Sequence, residues 1–345
     1  MPTTFAVPDG RVAMAATLYT GTGVARSVSN AVNTVSFAPD FVWIKDRTTA
    51  YSHILFDTIR GAGNYLISNG TLIETTDTNY MSAFTSTGFS VGTSAVSNGN
   101  TENYIGWQWK AGGTAVSNTA GTITSSVSAN TTAGFSVVTF TGNGVDTLSG
   151  VATVGHGLGV TPSFIITKKR SSGTDYNWST YHISNGNANI WLNTTSAKNP
   201  GNWVTAPAAT VFTPPVSLYG NESGVNYVAY CWAPVAGYSA FGSYTGNGSA
   251  DGPFIYTGFK PRWVMIKRTD GIGNWWMFDT SRSTYNVAVQ YLIADTSAVE
   301  GSDNAIDVLS NGFKLRLATY QPNTSGATFI YAAFAENPLK YSNAR

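Results

Sequence analysis

Apolar residues along this chain come in short runs rich in aromatic and β-branched side chains. Each run is closed by Gly, Asn, Ser or Thr, and helical periodicity is nearly absent. Such runs read as short β-strands. They predict strands at 41–45, 52–57, 65–68, 88–92 and 103–110; at 135–140, 164–169, 177–182, 188–192 and 227–233; and at 254–257, 262–267, 275–279, 289–293, 312–317 and 328–334. The only stretches with a trace of helical pattern are 287–293 and 302–309. Asn-Gly pairs at Asn69-Gly70, Asn98-Gly99, Asn185-Gly186, Asn247-Gly248 and Asn311-Gly312 favour tight turns, because both residues tolerate positive φ.

The pattern is written three times. Pro39, Pro162 and Pro261 each have an aromatic two residues on (Phe41, Phe164, Trp263) and a lysine six residues on (Lys45, Lys168, Lys267). Ahead of each lies a Tyr/Phe-Thr-Gly-x-Gly turn starting at Tyr19, Phe140 or Tyr244. Behind each comes an aromatic closing strand starting at Tyr104, Tyr227 or Phe329. The expected fold is all-β, with three homologous β-sandwich-like units in one chain. The divisions are a lead-in at 1–18, unit 1 at 19–113, a connector at 114–133, unit 2 at 134–240, unit 3 at 241–340 and a tail at 341–345. The Gly/Ser/Thr-rich connector fits either a flexible linker or an extended edge strand.

Composition narrows the class. Aromatic residues make up 13% of the 345 residues, which is a packing chain and not a disordered one. Charged residues are only 11%, against roughly 25% in ordinary soluble domains. A net charge of +1 gives no general pull toward nucleic acid or an anionic membrane. The single cysteine, Cys231, excludes an intrachain disulfide and reads as a small buried hydrophobe. Residues 1–10 lack the basic start and apolar run of a signal peptide, so no cleaved leader is expected, and no window is apolar enough for a membrane helix.

Candidate chemistry is sparse. His53, His156 and His182 have no partner at metal-ligand spacing, and there is neither a nucleophile elbow nor a phosphate loop. No metal, cofactor or catalytic residue is expected. The compact acidic pairs, Glu74 with Asp77 and Glu300 with Asp303, read as solvated loops, and the three repeat lysines as a solvated face. Asp57 with Arg60 recurs as Asp279 with Arg282, while unit 2 has Tyr181-His182 at the matching place; the pairs read as local staples. Features confined to one unit are aromatic: Asn274, Trp275 and Trp276 in unit 3, and Trp178, Trp191 and Trp203 in unit 2. Adjacent tryptophans on a strand point to opposite faces. One of Trp275 and Trp276 should therefore face outward, where it would stack on a sugar or pack against a neighbour.

The runs 109–119, 139–144, 154–162, 258–267 and 333–338 carry Trp109-Lys110-Ala111-Gly112-Gly113, Val154-Gly155-His156-Gly157-Leu158-Gly159 and Gly258-Phe259-Lys260-Pro261-Arg262-Trp263. Together they resemble a repeat-bearing family of tailed-bacteriophage virion and tail-fibre proteins of aquatic phages. Its members often occur with concanavalin- or laminin-G-like β-sandwich modules. The resemblance covers most of residues 19–338 and brings no established ligand residues with it. It implies a non-enzymatic structural protein made in the host cytoplasm and carried on the virion surface or tail. The leading role is host-surface glycan attachment by a tail-fibre or spike module. Capsid decoration or a baseplate role is the alternative, and a polysaccharide depolymerase the third reading. Its partners would be other virion proteins, a host glycan and further copies of itself, by default as a trimer. No nucleic acid and no membrane insertion are expected. The absence of a coiled coil or a Gly-X-Y shaft favours a compact module over a whole fibre.

Overall fold

The computed structural model describes residues 5–145, 150–171, 176–201, 203, 205–216, 219–318 and 321–337. It is an all-β fold in which each repeat builds the same inner sheet. In unit 1 the strands run side by side as Met14–Thr20, Asn103–Trp109, Phe41–Asp46, Ile54–Asp57 and Asn64–Ile67. In unit 2 the matching order is Phe135–Thr141, Asn226–Trp232, Phe164–Lys169, Ser179–His182 and Ile190–Trp191. In unit 3 it is Ser239–Thr245, Thr328–Asn337, Lys260–Arg268, Trp275–Asp279 and Ala288–Ile293. All these pairs are antiparallel.

A smaller layer covers the outer face of each inner sheet. Unit 1 uses Arg26–Ser29, Gly88–Val91 and Ala83–Thr85, and unit 2 uses Val154–Gly155 and Val211–Phe212. In unit 3 the sheet continues through Gly301–Leu309 and Gly312–Leu315 to Phe254–Tyr256 and folds back over the Lys260–Arg268 strand.

The central strands of each inner sheet, such as Phe41–Asp46, Phe164–Lys169 and Trp275–Asp279, are buried on both faces, and this explains their near-continuous apolar runs. Val42 and Ile44 point into the unit 1 sandwich, with Phe89 and Tyr104. Their neighbours Phe41 and Trp43 point the other way, into a core shared by all three units. There Trp109 meets Trp232 of unit 2 at 6.0 Å, and Trp263 and Phe334 of unit 3 at 5.5 and 5.7 Å between ring centroids. Burying so many large aromatic rings in one place is the main apolar driving force of the assembly.

The turn that opens each repeat is built the same way three times. Gly23, Gly144 and Gly248 take φ of 70°, 72° and 65°, a left-handed conformation that favours glycine. A buried asparagine organises each turn: Asn98, Asn221 and Asn323 accept from the N–H of Thr22, Asn143 and Asn247, each at 3.0 Å. Beside each turn two rings stack, Tyr19 on Tyr104, Phe140 on Tyr227 and Tyr244 on Phe329.

Several expectations are corrected by the fold. The stretches 287–293 and 302–309 form the strands Ala288–Ile293 and Gly301–Leu309: Tyr291 and Ile293 share the Trp276 face in the unit 3 sandwich, with Ile306 and Val308 buried in the next strand, and Leu292 takes the opposite face beside Met277. Of the two readings of the connector, the extended edge strand holds. Val116–Asn118 and Ser125–Asn130 add two antiparallel strands to the edge of the unit 2 sheet. Asn98 lies at the end of a short helical turn, Ala95–Asn98, with its side chain buried and not at a hairpin tip. Pro39 and Pro162 each stand two residues before a strand, and Pro261 lies at a register shift, places where the missing N–H breaks no ladder.

Candidate functional site

Contacts between the units repeat in a cycle. The ring at the start of the fourth inner strand donates to a main-chain carbonyl of the preceding unit. Trp178 Nε1 donates to Ile67 of unit 1 at 2.8 Å, and Trp275 Nε1 to Trp191 of unit 2 at 2.9 Å. His53 Nε2 lies 3.0 Å from the Ile293 carbonyl of unit 3. His53 Nδ1 accepts from Trp43 Nε1 at 2.9 Å, so the proton sits on Nε2 and His53 is the donor. A second cycle is main-chain: Glu74 N–H to Arg170, Lys198 N–H to Thr269 and Glu300 N–H to Arg47. Unit 1 thus joins unit 2, unit 2 joins unit 3, and unit 3 returns to unit 1. The ring is closed.

Ion networks reinforce two of the three seams. Arg60 pairs with Asp57 of its own unit and with Glu74, which also takes Arg170 of unit 2 in a two-pronged bond at 2.9 and 3.0 Å. Arg282 likewise pairs with Asp279 at 2.6 Å and with Glu300, which takes Arg47 of unit 1 at 2.7 and 2.9 Å. The expectation that Glu74 and Glu300 lie in solvated loops is therefore overturned, because each bridges two arginines across a seam. The third seam carries Asn185, Lys198 and Thr269 at the corresponding places, and the last two join through the main-chain bond from Lys198 N–H to the Thr269 carbonyl.

The departure of unit 2 from the Asp-Arg motif has a partner. Tyr230 of unit 2 donates to Asp57 of unit 1 at 2.8 Å, and Trp107 of unit 1 donates to Asp279 of unit 3 at 3.1 Å. The matching donor in unit 3 is Ala332, which has no donor group, and His182 replaces the carboxylate that it would have served. His182 Nδ1 accepts from Ser184 N–H, as Asp57 and Asp279 accept from Ile59 and Ser281. Its Nε2 then donates to Tyr331 of unit 3 at 3.0 Å. Burial lowers the imidazole to about 4, which keeps it neutral in that role.

The repeat lysines are not a solvated face. Lys45, Lys168 and Lys267 are fully buried, and their ammonium groups bind loop carbonyls. Lys168 reaches Thr71 of unit 1 at 2.6 Å and Lys267 reaches Thr194 of unit 2 at 3.2 Å. Burial lowers Lys45 and Lys267 to about 8, with Asp46 and Asp295 opposing the shift.

One family model, described as a domain of unknown function (DUF7483), matches residues 12–338. The chain belongs to that family. The match spans all three units, as befits units that share a core and close on one another. No curated protein matches the chain.

Within this family fold, the expected outward tryptophan is enclosed. Trp275 faces the shared core, 6.5 Å from Phe164. Trp276 does take the opposite face, but that face is the unit 3 sandwich interior, where Tyr291 covers the ring at 4.3 Å. Trp178 and Trp203 are fully buried, Trp203 donating to Asn189 at 3.1 Å, and Trp191 packs under Tyr219 at 4.8 Å. Asn274 is half-buried, with its N–H on Gln321. The structure brings none of these rings to a common surface. The second layer over each inner sheet closes the face that strand alternation left open.

Open grooves lie on the surface formed by the described residues. One, of about 360 Å³, runs over the unit 2 sheet and is lined by hydroxyls such as Ser117, Thr124, Ser126 and Thr139, with Arg170 at its end. Another, of about 240 Å³, surrounds Tyr285 between Arg282 and Gln290. Among the described residues no three His, Cys, Asp or Glu side chains gather as a metal site. His156 is tied to Ala208 and Leu158, and Cys231 is buried with its thiol pushed up by desolvation.

Proposed function

We propose that the protein is a non-enzymatic structural component of a bacteriophage particle, carried at its surface or tail, with host-surface attachment as its leading role. The observation that carries this reading is the closed ring of three units around one aromatic core. A single chain of that build offers the rigidity and near-threefold outline of a trimer without needing subunits to assemble. Among the described residues, buried histidines, lysines and carboxylates such as His53, His182, Lys168, Lys267, Asp57 and Asp279 are engaged in seams and turns, which favours a structural role. The motif resemblance supplies the phage setting.

A second reading, capsid decoration or a baseplate position, is favoured by the enclosure of every tryptophan that the sequence offered as a glycan platform. Immunogold labelling of purified particles separates the two. Label confined to the tail supports attachment, and label over the whole capsid lattice transfers the role to decoration. Particles without label would end both.

A further inference from the structure

The outer layers of units 1 and 3 superpose residue for residue in their pairing. In unit 1, Ser27 lies opposite Ser90, Val28 opposite Phe89 and Ser29 opposite Gly88. In unit 3, Phe254 lies opposite Lys314, Ile255 opposite Phe313 and Tyr256 opposite Gly312. The inward pairs serve the same packing role in both units. The outward positions differ in kind: three serines in unit 1 become Phe254, Tyr256 and Lys314 in unit 3. Unit 1 shows that this layer folds without outward rings, so folding does not require them. Yet Phe254 is 44% exposed and Tyr256 65% exposed.

We propose that Phe254 and Tyr256 form a carbohydrate-binding platform on the outer face of unit 3. Two residues apart on one strand, they stand on the same face about 7 Å apart, and among the described residues neither is stacked on another ring. Each offers a flat surface to the C–H face of one pyranose ring. The rim is polar. Lys314 Nζ binds Asp251 at 2.6 Å, and the Asp251 carboxylate is 83% exposed, free to accept from sugar hydroxyls while the lysine donates. Ser249 and Asn247 continue the rim.

Size argues for a sugar over a protein. The exposed parts of the two rings amount to about 220 Å², taking ~200 Å² per aromatic side chain, against ~800 Å² per partner in a stable protein interface. Lys314 and Asp251 neutralise each other at the rim, so the platform offers no net charge to an acidic glycan and suits neutral ones. The platform deepens the attachment reading and rests on it for its biological purpose.

The test is a glycan microarray of neutral and acidic glycans probed with the full labelled chain. Phe254→Ser with Tyr256→Ser copies unit 1, and Tyr285→Ser serves as an exposed-ring control in the same unit. Saturable binding of the wild type and control to neutral glycans, weakened about tenfold or more in the double variant at an unchanged melting temperature, supports the platform. Tyr256→Ser alone keeps the test decisive if the Phe254 ring, which lies over Gly312, is needed for folding. A blank array, binding to acidic glycans only, or binding untouched by the substitutions overturns it. So does loss of the double variant from particles when the wild type binds no glycan, because the rings would then be a protein contact. Wild-type particles that carry label on the tail while the array stays blank overturn the platform and leave attachment standing.

Discussion

A lysine at the sixth position after each proline is held by main-chain carbonyls in the interior, where desolvation disfavours its charge. Lys267 titrates near 8 in the folded protein and at about 10.4 when unfolded. Between those values the unfolded chain binds more protons, so stability rises with pH across that window and the lysine contributes no slope below it. Lys267→Met removes this response. In urea melts, the stability of the wild type relative to Lys267→Met should grow from pH 8 to pH 10, and a flat or falling difference would refute the assignment. Buried phenols such as Tyr244 oppose the rise above pH 10 in both proteins and cancel in the comparison. Residue identity also hid an equivalence. His53 is chemically unlike Trp178 and Trp275, and the shared act of donating a ring N–H to the neighbouring unit reveals the three as one position.

At the scale of elements, the Asp-x-x-Arg turn both caps itself and anchors a seam. Asp57 accepts from two turn N–H groups and neutralises Arg60, which is wholly buried. Asp57→Asn should cost about 3–5 kcal/mol, the usual result of stranding a buried charge. Glu74→Gln should cost only about 1–2 kcal/mol, because Arg60 keeps its nearer partner and Arg170 lies closer to water. Guanidinium titrations give both values, and the reverse order would mean that the seam outweighs the turn. The local staple was legible in the spacing of Asp and Arg. The second role was not, since Glu74, Tyr230 and Arg170 come from distant parts of the chain. Strand existence was likewise legible, but which side of each strand is enclosed was not. A strand between two cores has no polar face to mark its outside, and this is why Trp276 looked free.

At the scale of the molecule, three sandwiches with a common centre have no reason to melt separately. Trp109 touches rings of units 2 and 3, so Trp109→Ala removes packing from all three at once. The expected loss is about 3–5 kcal/mol, with a single calorimetric transition in both proteins and a calorimetric enthalpy equal to the van't Hoff value. Separate transitions for the units would refute the shared core. Ring closure adds to this cooperativity at the one seam without a covalent connection, between units 3 and 1, where Glu300 joins Arg282 to Arg47.

The all-β class, the threefold repeat, the turn glycines and the Asp-Arg staples could be read from the chain's own residue pattern. These depend on residue order within a few positions, where steric preference and strand propensity act directly. Tertiary structure alone decided that the units share one aromatic core, that the repeat lysines and Glu74 and Glu300 are withdrawn into seams, and that the tryptophans are covered. It also decided that Phe254 and Tyr256 turn outward together on one strand of the third unit. Burial is a property of what folds over a surface, and the covering layers here arrive from tens to hundreds of residues away.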